Sequence, residues 1–266
     1  MKNYEVIAIV LIAILATAGC VRLAEDMGKS SEPERIGIIG AMDEEVSSLK
    51  AAMDIDRKEI VESMEFFVGK LGGCDVVVVQ SGMGKVNAGT CAQLLITKFN
   101  ARAVINTGVG GSLDNTLDIG DFVVSVDAVQ HDFDVSHIGF QKGEIPYTGK
   151  YAFEADKALR QKAVDAITKS TTGVKIYEGR VCSGDQFVYT SAQKDAITSA
   201  FGGMCCEMEG AAIAQVCYLN DVPFVIIRAI SDKADGSSSM DYEEFKKKAA
   251  ERSSAAVLYL LENESP

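Results

Sequence analysis

Three carboxylates that are far apart in the sequence stand beside small residues near the ends of apolar runs: Glu45 in IGIIGAMDEE, Glu209 in CEMEGAA and Asp232 in VPFVIIRAISD. Ligands of open α/β sheets collect at the carboxyl ends of the strands, so carboxylates placed there can face one crevice. An acid kept neutral by burial can then give up a proton while a second, ionised one activates water. These residue types point to hydrolysis. Each also has a plainer use. Glu45, with Asp43 and Glu44, suits the first turn of a helix, where the dipole favours negative charge. Asp232 suits a strand-end turn, and Glu209 suits a cap or a partner for Arg228. Glu45 and Asp232 are expected in short loops that follow strands.

Such placement requires alternating strands and helices. IGIIG, VVVVQSG and AVINTGVGG are short aliphatic runs ended by glycine, the pattern of strands covered on both faces. Residues 87–99 put Ala88, Cys91, Leu94 and Leu95 at helical spacing, which predicts a crossover helix. DFVVSVDAVQHDFDV reads as a strand entering a glycine-punctuated loop that ends near Pro146. Helices are predicted over residues 155–169, 207–219 and 242–261, with YEGRVCSGD and VPFVIIRAI as further strands. The sum is an α/β fold: a single domain over residues 35–266, with a central mixed β-sheet flanked by helices.

With 266 residues and 47% hydrophobic content, one core suffices. A net charge of −12 repels phosphate backbones, so no nucleic-acid partner is expected. Lys2 precedes an apolar run over residues 6–16 and then TAGC. That run falls short of the roughly 20 residues of a membrane span but suits a signal peptide. Residues 1–19 are expected to be that signal, Cys20 a lipidated first residue giving membrane attachment, and residues 20–34 a tether. Soluble export, or an uncleaved anchor or buried helix, are the alternatives, with a periplasmic or cytoplasmic location. The remaining cysteines form no CxxC and are expected as free buried thiols. His131 and His137 complete no zinc set, so no metal is expected. GIIGAM, SGMGKVNAG and NTGVGGS match neither GxGxxG nor GxxxxGK[ST], and no nucleotide cofactor is expected. Their glycines can instead let backbone approach a small ligand, with Ser81 offering its hydroxyl to it or capping a turn.

AMDEE, SGMGKVNAG, INTGVGG, SGDQF, EMEGAAIA and RAISDKAD, in this order, resemble the bacterial 5'-methylthioadenosine/S-adenosylhomocysteine nucleosidases of the nucleoside phosphorylase superfamily, from about Ile36 to near the C-terminus. The resemblance implies a nucleoside phosphorylase-like fold and hydrolysis of the N-glycosidic bond of 5'-methylthioadenosine and S-adenosylhomocysteine, and of 5'-deoxyadenosine. It implies Asp232 as the acid that protonates adenine N7, supported by Ser231 with Arg228 nearby, and Glu45 as the base that deprotonates the attacking water. Glu209 would hold the ribose hydroxyls with Met208 against the sugar, while Phe187 stacks on the base and backbone at Val188 reads its polar edge. Tyr242 stands where the family often has a phenylalanine lid. The family implies a homodimer in which residues 135–146, through Ile138 and Pro146, close the neighbouring pocket. Glu45 is expected in more polar surroundings than Asp232, because it must be ionised. A purine nucleoside phosphorylase and an exported nucleoside-binding surface protein are the competing expectations.

Overall fold

The computed structural model describes residues 33–236 and 242–263, with backbone alone for residues 242–244. The expected signal peptide, Cys20 and nearly all of the tether lie outside the described residues, as does the side chain of Tyr242.

The first strand, β1 (Arg35–Gly40), is buried along its whole length. It pairs in parallel with β4 (Cys74–Gln80) on one side and β5 (Ala101–Ser112) on the other. Side chains alternate across a strand, and here both faces are covered. Ile38, Val76 and Val78 enter one core with α1 (Asp43–Ala52), α3 (Lys157–Ser170) and α6 (Tyr242–Glu262). Ile39, Val77 and Val79 enter the other with α2 (Lys85–Thr97) and α5 (Gly210–Leu219). Two opposed cores explain why these strands read as unbroken aliphatic runs.

On one flank β3 (Met64–Leu71) and β2 (Asp54–Val61) extend the sheet in antiparallel fashion. On the other, β5 pairs in parallel with β10 (Phe224–Asp232), and β10 pairs antiparallel with β6 (Phe122–Gln130). From β6 the pairing passes in parallel to β8 (Ile176–Ser183) and to β9 (Cys205–Glu207), which returns antiparallel to the end of β5. This part of the mixed sheet closes on itself, so the ends of β5, β8, β9 and β10 converge. The short β7 (Phe153–Glu154) adds to β6, and α4 (Ser191–Phe201) follows β8.

Several sequence expectations are corrected. Glu45 is the third residue of α1 rather than a loop residue, and Asp232 is the last residue of β10, held in the strand by pairing with Gly111 across a bulge. The helix expected over residues 207–219 starts at Gly210, because Glu207 is still paired to Ser183 in the sheet.

Candidate active site

Glu45 is placed by its own helix. Met42 is the N-cap of α1, and the Glu45 side chain turns back so that Oε2 accepts from Met42 N at 3.0 Å and Ala41 N at 2.7 Å, the reciprocal bond of a glutamate three residues into a helix. Oε1 accepts from Val109 N on β5 at 3.0 Å. A Cβ on Gly108 would lie 2.4 Å from Oε1, so only glycine admits the carboxylate here. The expectation of more polar surroundings for Glu45 is corrected: it is buried, and burial raises its pKa against the Arg228 charge and the three backbone N–H groups. Its polarity comes from oriented peptide dipoles and one guanidinium rather than from solvent.

Asp232 is also buried. Its Oδ1 accepts from Ala234 N at 2.8 Å and its Oδ2 from Ser231 Oγ at 2.9 Å. Burial lifts the carboxyl above its ordinary range, the two hydrogen bonds oppose that lift, and Asp235 adds to it. Desolvation outweighing two donors is the condition for a carboxylic acid that keeps its proton toward neutral pH.

Between them lies a charge cluster around Arg228, which is 2% exposed. Its partner is Glu207, with Arg228 Nη2 2.5 Å from Glu207 Oε2, rather than the expected Glu209. Arg228 Nη2 also donates to Asn106 Oδ1 at 2.5 Å. Glu207 accepts in addition from Ser183 Oγ, from Gly210 N at 2.7 Å and from Glu209 N at 3.2 Å. It therefore ties the start of α5 to β8 and β10. Glu209, freed of Arg228, accepts from Gly84 N at 2.9 Å. Burial and the neighbouring Glu207 charge push its pKa up to about 8, against Arg228 and the Gly84 N–H.

A cleft of about 560 Å³ opens beside this cluster, lined by Ser231 and Asp232, by Glu207, Met208 and Glu209, and by Phe187 and Val188. Backbone-rich walls come from Ala41, Met42 and residues 109–111. Phe187 is half exposed, while Val188 is buried. Glu45 does not itself line the cleft; its carboxylate lies behind Ala41, Met42 and Val109, which do. Arg228 likewise stands behind the wall.

Other expected residues are not brought in. Ser81 Oγ donates to Gly82 O at 2.8 Å, a turn bond, and Ser81 is not a lining residue. Ile138 ends a short 3-10 turn (Ser136–Ile138) and is 72% exposed, and Pro146 is half-buried. Neither lines the cleft of its own chain. Residues that sequence reasoning passed over are Glu207, Asn106, Gly108 and Met83. For Glu207 the sequence offers a second acid two residues before Glu209, without a sign of which one meets a cation.

Residues 35–262 match the model of the Phosphorylase superfamily. The chain is 44% identical over 230 residues to the 5'-methylthioadenosine/S-adenosylhomocysteine nucleosidase of Staphylococcus epidermidis, covering 86% of this chain and 99% of that one. Among solved structures it superposes with a TM-score of 0.83 on the nucleosidase of the same kind from Neisseria meningitidis in complex with methylthio-immucillin-A, at 35% identity, covering 86% of this chain and 99% of that one. It superposes with a TM-score of 0.82 on the futalosine hydrolase of Helicobacter pylori, at 31% identity, covering 87% of this chain and 98% of that one.

Proposed function

The chain belongs to the phosphorylase superfamily and, within it, to the bacterial 5'-methylthioadenosine/S-adenosylhomocysteine nucleosidases, and from that membership we propose how its own residues carry the reaction. The enzyme hydrolyses the N-glycosidic bond of 5'-methylthioadenosine and S-adenosylhomocysteine and releases adenine. Asp232 gives its proton to adenine N7 as the C1'–N9 bond breaks and the bonding pair enters the purine, so that adenine leaves neutral. Glu45 takes a proton from the water whose oxygen bonds to C1'. Glu209, with Met208, holds the ribose, and Phe187 and Val188 hold the base. The observation that carries this is the meeting of Asp232, Met208, Glu209, Phe187 and Val188 in one cleft whose wall is backed by the Glu45 carboxylate.

Water rather than phosphate is the acceptor. A phosphate dianion needs free backbone donors or cations, whereas the Ala41 and Met42 N–H groups at the start of α1 are taken up by Glu45 Oε2. Product analysis with 5'-methylthioadenosine, S-adenosylhomocysteine and 5'-deoxyadenosine, with and without phosphate, tests the assignment. Phosphate-independent adenine release from all three, lost in Asp232→Asn, is expected. A phosphate requirement would overturn it.

The working form is a homodimer in which Ile138 and Pro146 reach the neighbouring cleft. Support comes from apolar side chains left in solvent, Met83 at 61%, Val86 at 79% and Ile138 at 72% exposed. A fully active monomer in sedimentation would refute it. Cys20 is lipidated after export, anchoring the enzyme to a membrane. The short apolar leader with TAGC supports this. Mass spectrometry of the N-terminus of the natively expressed protein checks it; an unmodified Cys20 would refute it.

A further inference from the structure

We propose that Asp132 is a positioning residue for the nucleoside, its carboxylate clamping together the two loops that form the rim of the cleft; the inference rests on the nucleosidase assignment above. The rim side chains Met83 and Phe187 are 61% and 51% exposed. Polar bonds tie together the loops that carry them. Asp132 Oδ1 accepts from Lys85 Nζ at 2.6 Å and Oδ2 accepts from Asp185 N at 2.8 Å. Lys85 N in turn donates to Asp185 Oδ1 at 2.8 Å. These three bonds close a ring joining the loop that carries Met83 to the loop that carries Phe187.

The ring continues to the sugar side. Gly84, one residue before Lys85, donates its N–H to Glu209 Oε1. The loop over residues 83–85 therefore touches the ribose-side acid with one peptide and the base-side loop with the next. Lys85 Nζ has a second acceptor, Gln130 Oε1 at 3.1 Å, itself steadied by Gln215. Lys85 and Asp132 side chains are only 17% and 20% exposed, so solvent screens the pair less than a surface bridge. Burial works against the Asp132 charge, yet the Lys85 ammonium and the Asp185 N–H hold its pKa below the ordinary carboxylate range. The approach is tight: a Cβ on Gly184 would meet His131 Nε2 at 2.4 Å and Asp132 Cγ at 3.1 Å. Asp132 does not line the cleft, so it acts through the loops and not on the substrate.

The test is steady-state hydrolysis of 5'-methylthioadenosine by wild type, Asp132→Asn, Lys85→Met and the double variant, with melting curves to confirm folding and calorimetric titration with adenine. Either single change is expected to raise KM and weaken adenine binding about tenfold, the worth of one charge-assisted hydrogen bond. Because the clamp orders the rim and not the reacting groups, kcat stays within about threefold. The double variant is expected to be no worse than the poorer single one, since both break the same ring. Unchanged KM in the folded single variants, or a fall in kcat at constant KM, would overturn the clamp. If Asp132→Asn fails to fold, Lys85→Met carries the comparison. Failure of wild type to release adenine would fault the nucleosidase assignment instead, and adenine affinity alone would then decide the clamp.

Discussion

Replacing Gly108 by alanine aims one methyl carbon at Glu45, the base of the proposed mechanism, from a position that does not line the cleft. The new Cβ would stand 2.4 Å from Glu45 Oε1 and 2.8 Å from its Cδ. Real Cβ contacts start near 3.0 Å and become ordinary at 3.4 Å, and a retreat on the order of 1 Å from productive geometry costs about 100-fold in rate. The retreat breaks the Val109 N–H bond to Oε1, and losing a hydrogen bond to a buried charge costs roughly 1.5–3 kcal/mol. Removing glycine from a strand returns part of that, about 0.5–1 kcal/mol, so a net loss of about 1–2 kcal/mol in urea unfolding is expected. Glu45 makes no contact with base or ribose in the proposed mechanism, so KM should change little while kcat falls about 100-fold. Chromatographic measurement of adenine release from 5'-methylthioadenosine provides both constants. Glu45→Gln supplies the control, since an amide NH₂ must face one of the three backbone N–H donors and the base is lost outright. Gly108→Ala added to Glu45→Gln should cost little more, because the target is already gone. A Gly108→Ala enzyme with kcat within threefold of wild type, or one whose loss lies in KM, would refute the role given to Glu45.

Asp232→Asn preserves shape and removes the proton, so kcat is expected to fall by about 10²–10⁴. In wild type, kcat/KM should decline as pH rises through the raised Asp232 pKa, and an alkaline limb that persists in Asp232→Asn would place the acid elsewhere. Glu207→Gln strips Arg228 of its ion-pair partner; breaking a buried pair costs about 3–5 kcal/mol, and the low end is expected because Asn106 still accepts from the guanidinium. A loss below about 1 kcal/mol in urea unfolding would deny Glu207 its structural role. Glu209 has a folded-state pKa of about 8 against an ordinary 4.5, so between those values the folded protein binds more protons and stability falls as pH rises. Glu209→Gln should remove that fall, read as a smaller drop in Tm from pH 5 to pH 8; an unchanged drop would assign the slope to another group. Tyr242 carries a hydroxyl where the family often has phenylalanine, and on the proposal that this hydroxyl favours the polar homocysteine tail, Tyr242→Phe should shift the ratio of kcat/KM values toward 5'-methylthioadenosine. An unchanged ratio removes Tyr242 from substrate choice.

What could be read from the chain alone follows from how locally each feature is determined. β1, β4, β5 and β10 were legible because two cores make their apolar runs continuous. The β2–β3 hairpin was not, because β2 is an edge strand with five charged residues among eight and turns through Glu62 and Ser63 at φ of 47° and 66°, where asparagine or glycine is the usual signal. Whether Glu45 lies in a loop or a helix depends on where β1 stops, and its α1 position puts its carboxylate within reach of Ala41 and Met42 N–H.

The charge cluster shows the deeper limit. EMEGAA supplies two acids and RAISD one arginine, and sequence order cannot say which of the two glutamates takes the arginine. That choice is made by β9, three residues long, whose register sets Glu207 opposite Ser183 and so turns Glu207 inward to Arg228. Glu209, past the strand end, is then left to face the cleft with a single backbone donor. The guanidinium commits Nη2 to Glu207 and Asn106 rather than to Glu209, so burial and the Glu207 charge outweigh the Arg228 charge and lift the Glu209 pKa. The functional difference between two acids two residues apart therefore originates in a sheet register that no local pattern records.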